Sequence, residues 1–277
     1  MTLPEDAREA VRVGGGDINE AFRVTLADGT EAFVKTRANP QPGEYTAEAA
    51  GLRWLAEPAA LRTPRVLEAA EGHLALEWLH GGALDAAGAE ELGRGLALTH
   101  TAGAPCFGDP GFIGPARLGT LLLPNDPAAD WVTFYRERRL LALAAEGRRG
   151  GRLSPAGVAA LERVCERLPE LAGPPEPPAR IHGDLWTGNV FADRDGRPWL
   201  IDPCAHGAHR EVDLAMLRLF GAPPQRTFDA YEELAPLAPG WQERVELYQL
   251  LPLLVHALLF GGGYVASAER LAQRLAG

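Results

Sequence analysis

Residues 180–189 read Arg-Ile-His-Gly-Asp-Leu-Trp-Thr-Gly-Asn and form the densest cluster of polar functional side chains in the chain. The segment has the form His-x-Asp, at His182 and Asp184, and Asn189 follows the aspartate five positions later. By itself this pattern fits either a polar loop or a catalytic loop. Its neighbours along the chain therefore decide between the two interpretations.

A short hairpin is predicted directly after this segment. Its strands cover 190–192 and 198–201, a turn joins them, and Asp202 stands at its end. Because an antiparallel hairpin returns the chain to its starting end, Asn189 and Asp202 should lie side by side. Their oxygens would suit Mg²⁺, which takes few protein ligands and completes its shell with phosphate and water.

The N-terminal part of the chain has the pattern of a small antiparallel sheet. Strands are predicted near 11–13, 21–26 and 31–35, the last two joined by an Asp-Gly turn at 28–29. A glycine run, Gly14, Gly15 and Gly16, separates the first two strands. One helix over 45–57 should pack on the sheet, since its apolar residues recur at helical spacing. A further strand over 74–79 precedes Gly81-Gly82, a hinge between two lobes.

Beyond the two glycines the sequence becomes mainly helical. Periodic apolar segments predict helices near 87–101, 130–146, 154–168, 211–220 and 241–260. Ser154 followed by a proline is a good helix start. A second glycine run, 261–263, follows an apolar helix and indicates a helix end or close packing. The chain is therefore predicted to be α+β, with an N-terminal lobe over 1–80 and a larger helical lobe over 81–277.

Phosphoryl transfer from a nucleotide needs a backbone cradle over the phosphates, a cation, metal ligands and a residue that orients the acceptor hydroxyl. The sequence offers one candidate for each. The arrangement resembles the catalytic loop and metal-binding aspartate of the protein-kinase-like superfamily. That resemblance implies ATP and Mg²⁺ as cofactors, Asp184 as catalytic base, Asn189 and Asp202 as metal ligands, and a structural role for His182.

Lys35 is the single lysine among 27 basic residues. It ends a strand downstream of the glycine run, as the phosphate-binding lysine of such kinases does. Glu48 lies on the following helix and is its expected partner, although Glu44, one turn earlier, is a rival. Glu48 is preferred because the family's helix carries its glutamate ahead of Gly-Leu-x-x-Leu, matched here from Gly51. The glycine run, Glu77 and Leu79 are further candidate nucleotide contacts.

Several stretches of the C-terminal half are similar to the fructosamine (ketosamine) kinase family. They are Ile201-Asp202-Pro203, residues 209–216, Leu219-Phe220-Gly221, residues 247–250 and 260–264, and the helix start at 130–135 with Arg139. The resemblance implies transfer of the ATP γ-phosphate to a sugar hydroxyl, typically the 3-hydroxyl, of an Amadori-type ketoamine, with a role in deglycation. The partner would be a small-molecule ketoamine or a glycated lysine. Trp186 is a candidate substrate contact, Asp213 would anchor the catalytic loop, and Arg210 would support it.

Some alternatives stay open. The family usually has aromatic residues and a glycine where this chain has residues 204–209, and this leaves the acceptor pocket uncertain. A pocket rich in carboxylates would favour another small-molecule kinase, acting on an aminoglycoside, a choline-like alcohol or a hydroxy amino acid. A pseudokinase would lack a catalytic residue, yet the set is complete. Cys204, His206 and His209 lack a fourth ligand at the usual spacing for zinc.

Composition excludes other classes of protein. The net charge of −10, without a basic block, disfavours nucleic acids and anionic membranes as partners. No apolar run reaches the roughly 18 to 20 residues of a membrane span, and the polar N-terminus is unlike a signal peptide, so a cytoplasmic location is expected. The three cysteines suggest reduced thiols and no disulfide framework.

Overall fold

The computed structural model describes residues 2–14 and 19–277, and its N-terminal part is a five-stranded antiparallel sheet covered by one helix. The strand order is β1-β2-β3-β5-β4. The elements are β1 Ala7–Val13, β2 Glu20–Leu26, β3 Glu31–Thr36, α1 Glu44–Ala56, β4 Val66–Ala69 and β5 His73–Glu77. Strand, turn, strand, helix and strand thus follow the order expected from the sequence, with β4 as an addition.

The sheet buries apolar side chains on both faces. On one face Phe22, Val24, Ala32, Val34 and Ala75 form a cluster. On the other, Leu74 and Leu76 pack against α1 through Tyr45, Ala49 and Leu52. This alternation is the period-2 pattern of β-strands, whose successive side chains point to opposite faces of the sheet. The edge strand β4 is short and mostly half-buried, so it has no such pattern.

The C-terminal part is mainly helical. Its helices are α2 Ala86–Thr101, α3 Trp131–Phe134, a π-helical turn Tyr135–Leu140, α4 Leu141–Arg149, α5 Pro155–Leu171, α6 Glu211–Met216, α7 Gln225–Leu234, α8 Trp241–Phe260 and α9 Gly263–Ala276. The predicted helix over 130–146 is thus three consecutive helical segments. The Ser154 hydroxyl caps α5 by accepting a hydrogen bond from the Gly157 backbone N–H at 3.0 Å. Helices α7 and α9 were not predicted, and the second glycine run ends α8, as expected.

Three two-stranded ribbons complete the helical part. They are β6 Ala116–Leu118 with β7 Leu121–Leu123, β8 Ala179–Ile181 with β11 His206–Ala208, and β9 Val190–Ala192 with β10 Pro198–Leu200. The last of these is the predicted hairpin, and its register pairs Val190 with Leu200. It lies directly after the His-x-Asp segment, so the hairpin positions Asn189 and Asp202 at one end.

Gly82 is held against this hairpin. Its N–H donates to the carbonyl of Ala192 at 2.9 Å, and a Cβ on Gly82 would lie 2.2 Å from the carbonyl oxygen of Asp193. Glycine is therefore required here for close backbone approach. Across residues 2–14 and 19–277, no helix combines the length and the apolar character that crossing a lipid bilayer requires.

Candidate active site

Lys35 lies between two carboxylates that come from different parts of the fold. Its Nζ is 2.7 Å from Oε2 of Glu48 on α1 and 3.0 Å from Oδ1 of Asp202 after β10. The lysine is 8% exposed. The rival Glu44 faces elsewhere: its Oε1 is 3.5 Å from Arg37, and its Oε2 accepts from the Gln41 N–H. The structure thus brings Lys35, Glu48 and Asp202 together.

The lysine and the two carboxylates of this trio shift one another's pKa values. Burial works against the Lys35 ammonium, but Asp202 and Glu48 outweigh it and raise the pKa of Lys35. Burial raises the pKa of Glu48 to about 7, against the effect of Lys35. Desolvation tends to raise the pKa of Asp202, but the Lys35 ammonium outweighs it and lowers that pKa. The Asp202 side chain is 46% exposed, so its carboxylate faces open space beside the lysine.

The backbone at Asp202 is unusual. Its φ is 53°, in the left-handed region that few residues other than glycine adopt. Such a conformation costs on the order of 1–3 kcal/mol and persists only where the surroundings impose it. Here the Ile201 N–H donates to the carbonyl of Asn189 at 3.1 Å, which closes the base of the hairpin. The strained turn directs the Asp202 carboxylate towards Lys35.

Asp184 follows β8 and is held by Asn189. The Asn189 Nδ2 donates to the backbone carbonyl of Asp184 at 2.8 Å and to its Oδ2 at 3.3 Å. Burial raises the pKa of Asp184 to about 7, and the charge of Asp202 adds to this effect. A carboxylate with a pKa near neutral is well matched to accepting a proton at that pH. The geometry therefore presents one oriented carboxylate whose pKa suits a general base.

Asp213 and His100 hold the backbone before Asp184. Asp213 on α6 is fully buried, and its carboxylate accepts hydrogen bonds from the N–H groups of His182 (2.7 Å) and Gly183 (2.9 Å). His100 on α2 donates from Nε2 to the same carboxylate at 3.2 Å, and its Nδ1 is 2.9 Å from the Tyr231 hydroxyl. Burial would raise the pKa of Asp213, but His100 and these donors outweigh it and lower that pKa. Sequence reasoning missed His100 and Tyr231, which lie far from the motif.

His182 links the His-x-Asp loop to the hairpin. Its Nε2 donates to the carbonyl of Ile201 at 2.9 Å, and its Nδ1 accepts from the backbone N–H of Asp184 at 3.3 Å. Burial lowers the pKa of His182, which keeps the ring neutral and preserves this donor and acceptor pair. The histidine therefore sets the distance between the Asp184 backbone and the end of β10.

The donor set at the hairpin base fits a magnesium ion. Asn189 uses its amide nitrogen on Asp184, and Asp202 uses Oδ1 on Lys35. Within the described residues, no hydrogen bond goes to Asn189 Oδ1 or to Asp202 Oδ2. The same part of the chain contains no group of three or more His, Cys, Asp or Glu side chains that could hold a metal ion. Mg²⁺ commonly binds one or two protein oxygens and completes its coordination shell with phosphate and water oxygens. These two residues would therefore hold the ion together with its nucleotide.

The other predicted nucleotide contacts are spread along the sheet. Gly14 is exposed after β1, and Gly15 and Gly16 lie outside the described residues. The Glu77 side chain accepts a hydrogen bond from the Arg65 N–H at 2.7 Å, so it is engaged at the end of β5. Leu79 follows β5 and is half-buried.

Arg210 and Trp186 make contacts away from Lys35, Glu48 and Asp202. Arg210 forms a two-pronged ion pair with Glu176, at 2.7 and 2.9 Å, and donates to the carbonyls of Ala235 and Pro236. It thus ties the proline-rich segment before β8 to the loop after α7. Trp186 is 39% exposed, and its ring lies over Gly188.

A small pocket lies beside Asp184. Its apolar wall comes from β6, α6 and α8, through Leu118, Val212, Met216, Leu251, Pro252 and Val255, and its polar side chains are Asp184 and His256. Among the described residues that line it, Asp184 is the one acidic group. Residues 204–209, the departure from the family pattern, are buried and do not line this pocket. They form a buried connection in which β11 pairs with β8.

Arg180 connects α1 to the strand that leads into the motif. It lies on β8, and its Nη1 donates to the carbonyl of Trp54 and to Glu57 Oε2 (2.8 Å) at the end of α1. The guanidinium also stacks on the Trp54 ring at 4.6 Å from its centroid. In addition, a Cβ on Gly51 would be 3.2 Å from Ala205, so α1 packs closely on the segment after Asp202. Sequence reasoning did not identify Arg180.

Comparisons with known proteins agree with this geometry. The model of the fructosamine kinase family matches residues 2–276. A probable ketoamine kinase of Thermus thermophilus is 39% identical, over 94% of this chain and 92% of that protein. A solved structure from Thermobifida fusca, provisionally named a fructosamine-3-kinase, has a TM-score of 0.89 at 43% identity, covering 97% of this chain and 94% of that one.

More distant structures share the fold. An ADP-bound aminoglycoside phosphotransferase is 12% identical, covers 98% of this chain and 95% of its own, and has a TM-score of 0.66. Similarity at that level extends to the fold alone. The expected α+β, protein-kinase-like fold is thereby confirmed.

Proposed function

Because this chain belongs to the fructosamine kinase family, we propose that it transfers the γ-phosphate of ATP to a sugar hydroxyl of an Amadori-type ketoamine. The hydroxyl would typically be the 3-hydroxyl, and the role would be deglycation. The family is one of small-molecule kinases. What is proposed for this chain is the acceptor, its reacting position and the residues that act on it.

The observation that carries the proposal is the composition of the pocket beside Asp184. Its wall is apolar, and among the described residues that line it one carboxylate is present, Asp184 itself. A polycationic acceptor such as an aminoglycoside would need several carboxylates to replace its hydration. A sugar joined to a single amine does not. The pocket therefore supports a ketoamine over a polycationic acceptor such as an aminoglycoside.

In the proposed mechanism Asp184 accepts the proton of the sugar hydroxyl. Asn189 fixes one oxygen of this carboxylate at 3.3 Å, and a pKa of about 7 leaves Asp184 substantially ionised near neutral pH. Orienting the hydroxyl in this way contributes by positioning as well as by proton transfer. The apolar wall excludes water, which would otherwise compete as acceptor.

Lys35 would bind the phosphates of ATP, and Glu48 would hold the lysine in place. Bound Mg²⁺, held by Asn189 and Asp202, would neutralise charge on the transferred phosphoryl group. Gly14, Gly15, Gly16, Glu77 and Leu79 belong to the proposed nucleotide site. The cleft would separate an N-terminal lobe over 1–80 from a catalytic lobe over 81–277, and Trp186 would flank the acceptor.

A phosphorylation screen tests the proposal. Purified protein with Mg-ATP is offered fructosyl-lysine, ribosyl-lysine, free fructose, choline and an aminoglycoside, and the phosphorylated position is read by NMR. We expect a ketoamine to be the best acceptor, far better than free fructose, with the phosphate on the 3-hydroxyl. The Asp184→Asn protein is the matched control for contaminating kinases. Turnover of choline or an aminoglycoside with inert ketoamines would overturn the proposed acceptor.

A further inference from the structure

Four aromatic rings form a continuous surface at the mouth of the acceptor pocket. His256 lies at the centre, with ring centroids 4.5 Å from Phe220, 5.0 Å from Tyr264 and 5.5 Å from Phe260. Phe260 is 49% exposed and Tyr264 37%. We call this surface the aromatic ledge, formed by Phe220, His256, Phe260 and Tyr264. Large apolar side chains left this open to solvent commonly mark a binding surface.

The ledge is joined to the pocket and to the loop that carries Asp184. His256 lines the pocket together with Asp184 and is also a ledge residue. The Thr187 hydroxyl, three positions after Asp184, donates to the carbonyl of Phe220 at 3.2 Å. His256 therefore connects the pocket that contains Asp184 to the ledge. The hydrogen bond from Thr187 also fixes the Phe220 end of the ledge to the loop that carries Asp184.

Space above the ledge is open. The glycine run between α8 and α9 separates Phe260 from Tyr264, and a Cβ at Gly262 or Gly263 would meet no atom within 4 Å. Within the described residues, neither the ledge nor the pocket wall carries an arginine or lysine side chain. The ledge itself therefore presents π-faces and ring edges, and the Arg152 guanidinium lies near Gly261 at one side of it.

Besides the Tyr264 hydroxyl, the His256 ring offers the ledge a hydrogen-bond acceptor. The Nδ1 of His256 is 2.8 Å from the carbonyl of Pro252, which can only accept, so Nδ1 carries the hydrogen. In the neutral ring Nε2 then has a lone pair, and no described residue donates to it. An N–H or O–H group on a ligand that crosses from pocket to ledge could donate to it.

We infer that the aromatic ledge binds the protonated amine and the adjoining aliphatic chain of the acceptor while the sugar lies beside Asp184. This rests on the proposed function and specifies its substrate: a ketoamine with a charged secondary amine and an alkyl arm. A secondary alkylamine is protonated near neutral pH, and aromatic faces attract such a cation. The same ledge contributes little binding energy to an acceptor, such as free fructose, that has no amine or alkyl chain beyond the sugar.

Two single variants and a charge-matched pair of substrates test this inference. Phe260→Leu and Tyr264→Leu keep apolar bulk but remove the π-face. For fructosyl-lysine we expect each to raise KM roughly 3- to 30-fold with kcat little changed. For the N-acetylated ketoamine, whose nitrogen carries no charge, the variants and the wild type should agree within about twofold. KM for Mg-ATP, unchanged in both variants, reports that the protein is folded.

Phe112→Leu is the matched control, because Phe112 is 57% exposed and lies outside the ledge and the pocket lining. It should leave both substrates unaffected. If Phe260→Leu and Tyr264→Leu alter KM for the charged and the neutral ketoamine equally, or for neither, the ledge does not recognise the ammonium and the inference is wrong. If instead the wild-type protein phosphorylates no ketoamine, the proposed function fails, and the two failures are distinguishable.

Discussion

At the scale of single residues, the site depends on two carboxylates whose different partners shift their pKa values in opposite directions. Asp184 and Asp202 influence each other strongly enough for the charge on Asp202 to raise the pKa of Asp184. Lys35 binds Asp202 and thereby lowers the pKa of that residue. The environment thus separates two chemically identical groups, one suited to accept a proton and one to remain charged, as acid and base roles require.

The first prediction concerns Asp184. Asp184→Asn keeps the shape of the side chain but removes the charge that accepts the proton. We expect kcat with the best acceptor to fall roughly 10²- to 10⁴-fold, while the dissociation constant of Mg-ATP changes little. Single-turnover kinetics and nucleotide titration measure the two effects. Turnover within tenfold of wild type would remove Asp184 from the role of base.

At the scale of secondary structure, α1 is fixed from both sides. Its Glu48 binds Lys35 across the sheet, and its C-terminal end is bound by Arg180. A positive charge at a helix C-terminus is favourable, since the carbonyl groups there have no partner within the helix. Because Arg180 lies four residues before Asp184 on the same strand and loop, its contacts relate the position of α1 to that of the catalytic loop.

The second prediction follows from this connection. Arg180→Met keeps a long side chain against Trp54 but removes the hydrogen bonds to α1. We expect the free energy of unfolding to fall by about 1–3 kcal/mol, and KM for Mg-ATP to rise several-fold because Glu48 no longer holds Lys35 in one place. Chemical denaturation and steady-state kinetics on the same preparation measure both.

Two comparisons separate a positioning role from a merely structural one. Arg148→Met removes an exposed ion pair with Glu162 and should affect neither quantity. Arg180→Lys retains a charge near Glu57 and should recover part of the Mg-ATP affinity. An Arg180→Met protein that loses stability but keeps wild-type KM for Mg-ATP would show that Arg180 supports the fold without positioning the nucleotide site.

At the scale of the whole molecule, the ion pair between Lys35 and Asp202 joins residues 167 positions apart. It connects the sheet of the N-terminal part to the hairpin of the helical part. Lys35 is also the single lysine of the chain. An amine-directed reagent can therefore report on the contact between these two parts without mutagenesis.

The third prediction uses that property. Because Lys35 is 8% exposed and bound by two carboxylates, it should be acylated slowly, and its modification should abolish kinase activity. Saturating Mg-ATP should slow the modification further, since the phosphates occupy the approach to Nζ. An acceptor alone should give no protection, because it binds beside Asp184. Mass spectrometry of Lys35 and residual activity measure both.

The α-amino group is the internal control, and Mg-ATP should leave its rate of acylation unchanged. Equal modification of Lys35 with and without Mg-ATP would contradict contact with the phosphates. So would full modification with full activity. Either result would also remove the argument for a nucleotide site on the N-terminal sheet.

The sequence by itself determined the parts of the site that are local. The His-x-Asp segment, the hairpin from 190 to 201 and the position of Lys35 at the end of a strand follow from short-range rules of pairing and alternation. So does the α+β order of elements. These features can be predicted because each one depends only on residues that are close together in the sequence.

Only the tertiary structure decided which groups meet. Glu48 rather than Glu44 contacts Lys35. His100, from a distant helix, joins the His182 and Gly183 N–H groups on the Asp213 carboxylate, and Arg180 reaches the end of α1. The pocket beside Asp184 takes its wall from three separate elements, and residues 204–209 are buried away from its lining. Such contacts depend on how distant elements pack, and packing is set by the complementarity of whole faces, which no short stretch of sequence contains.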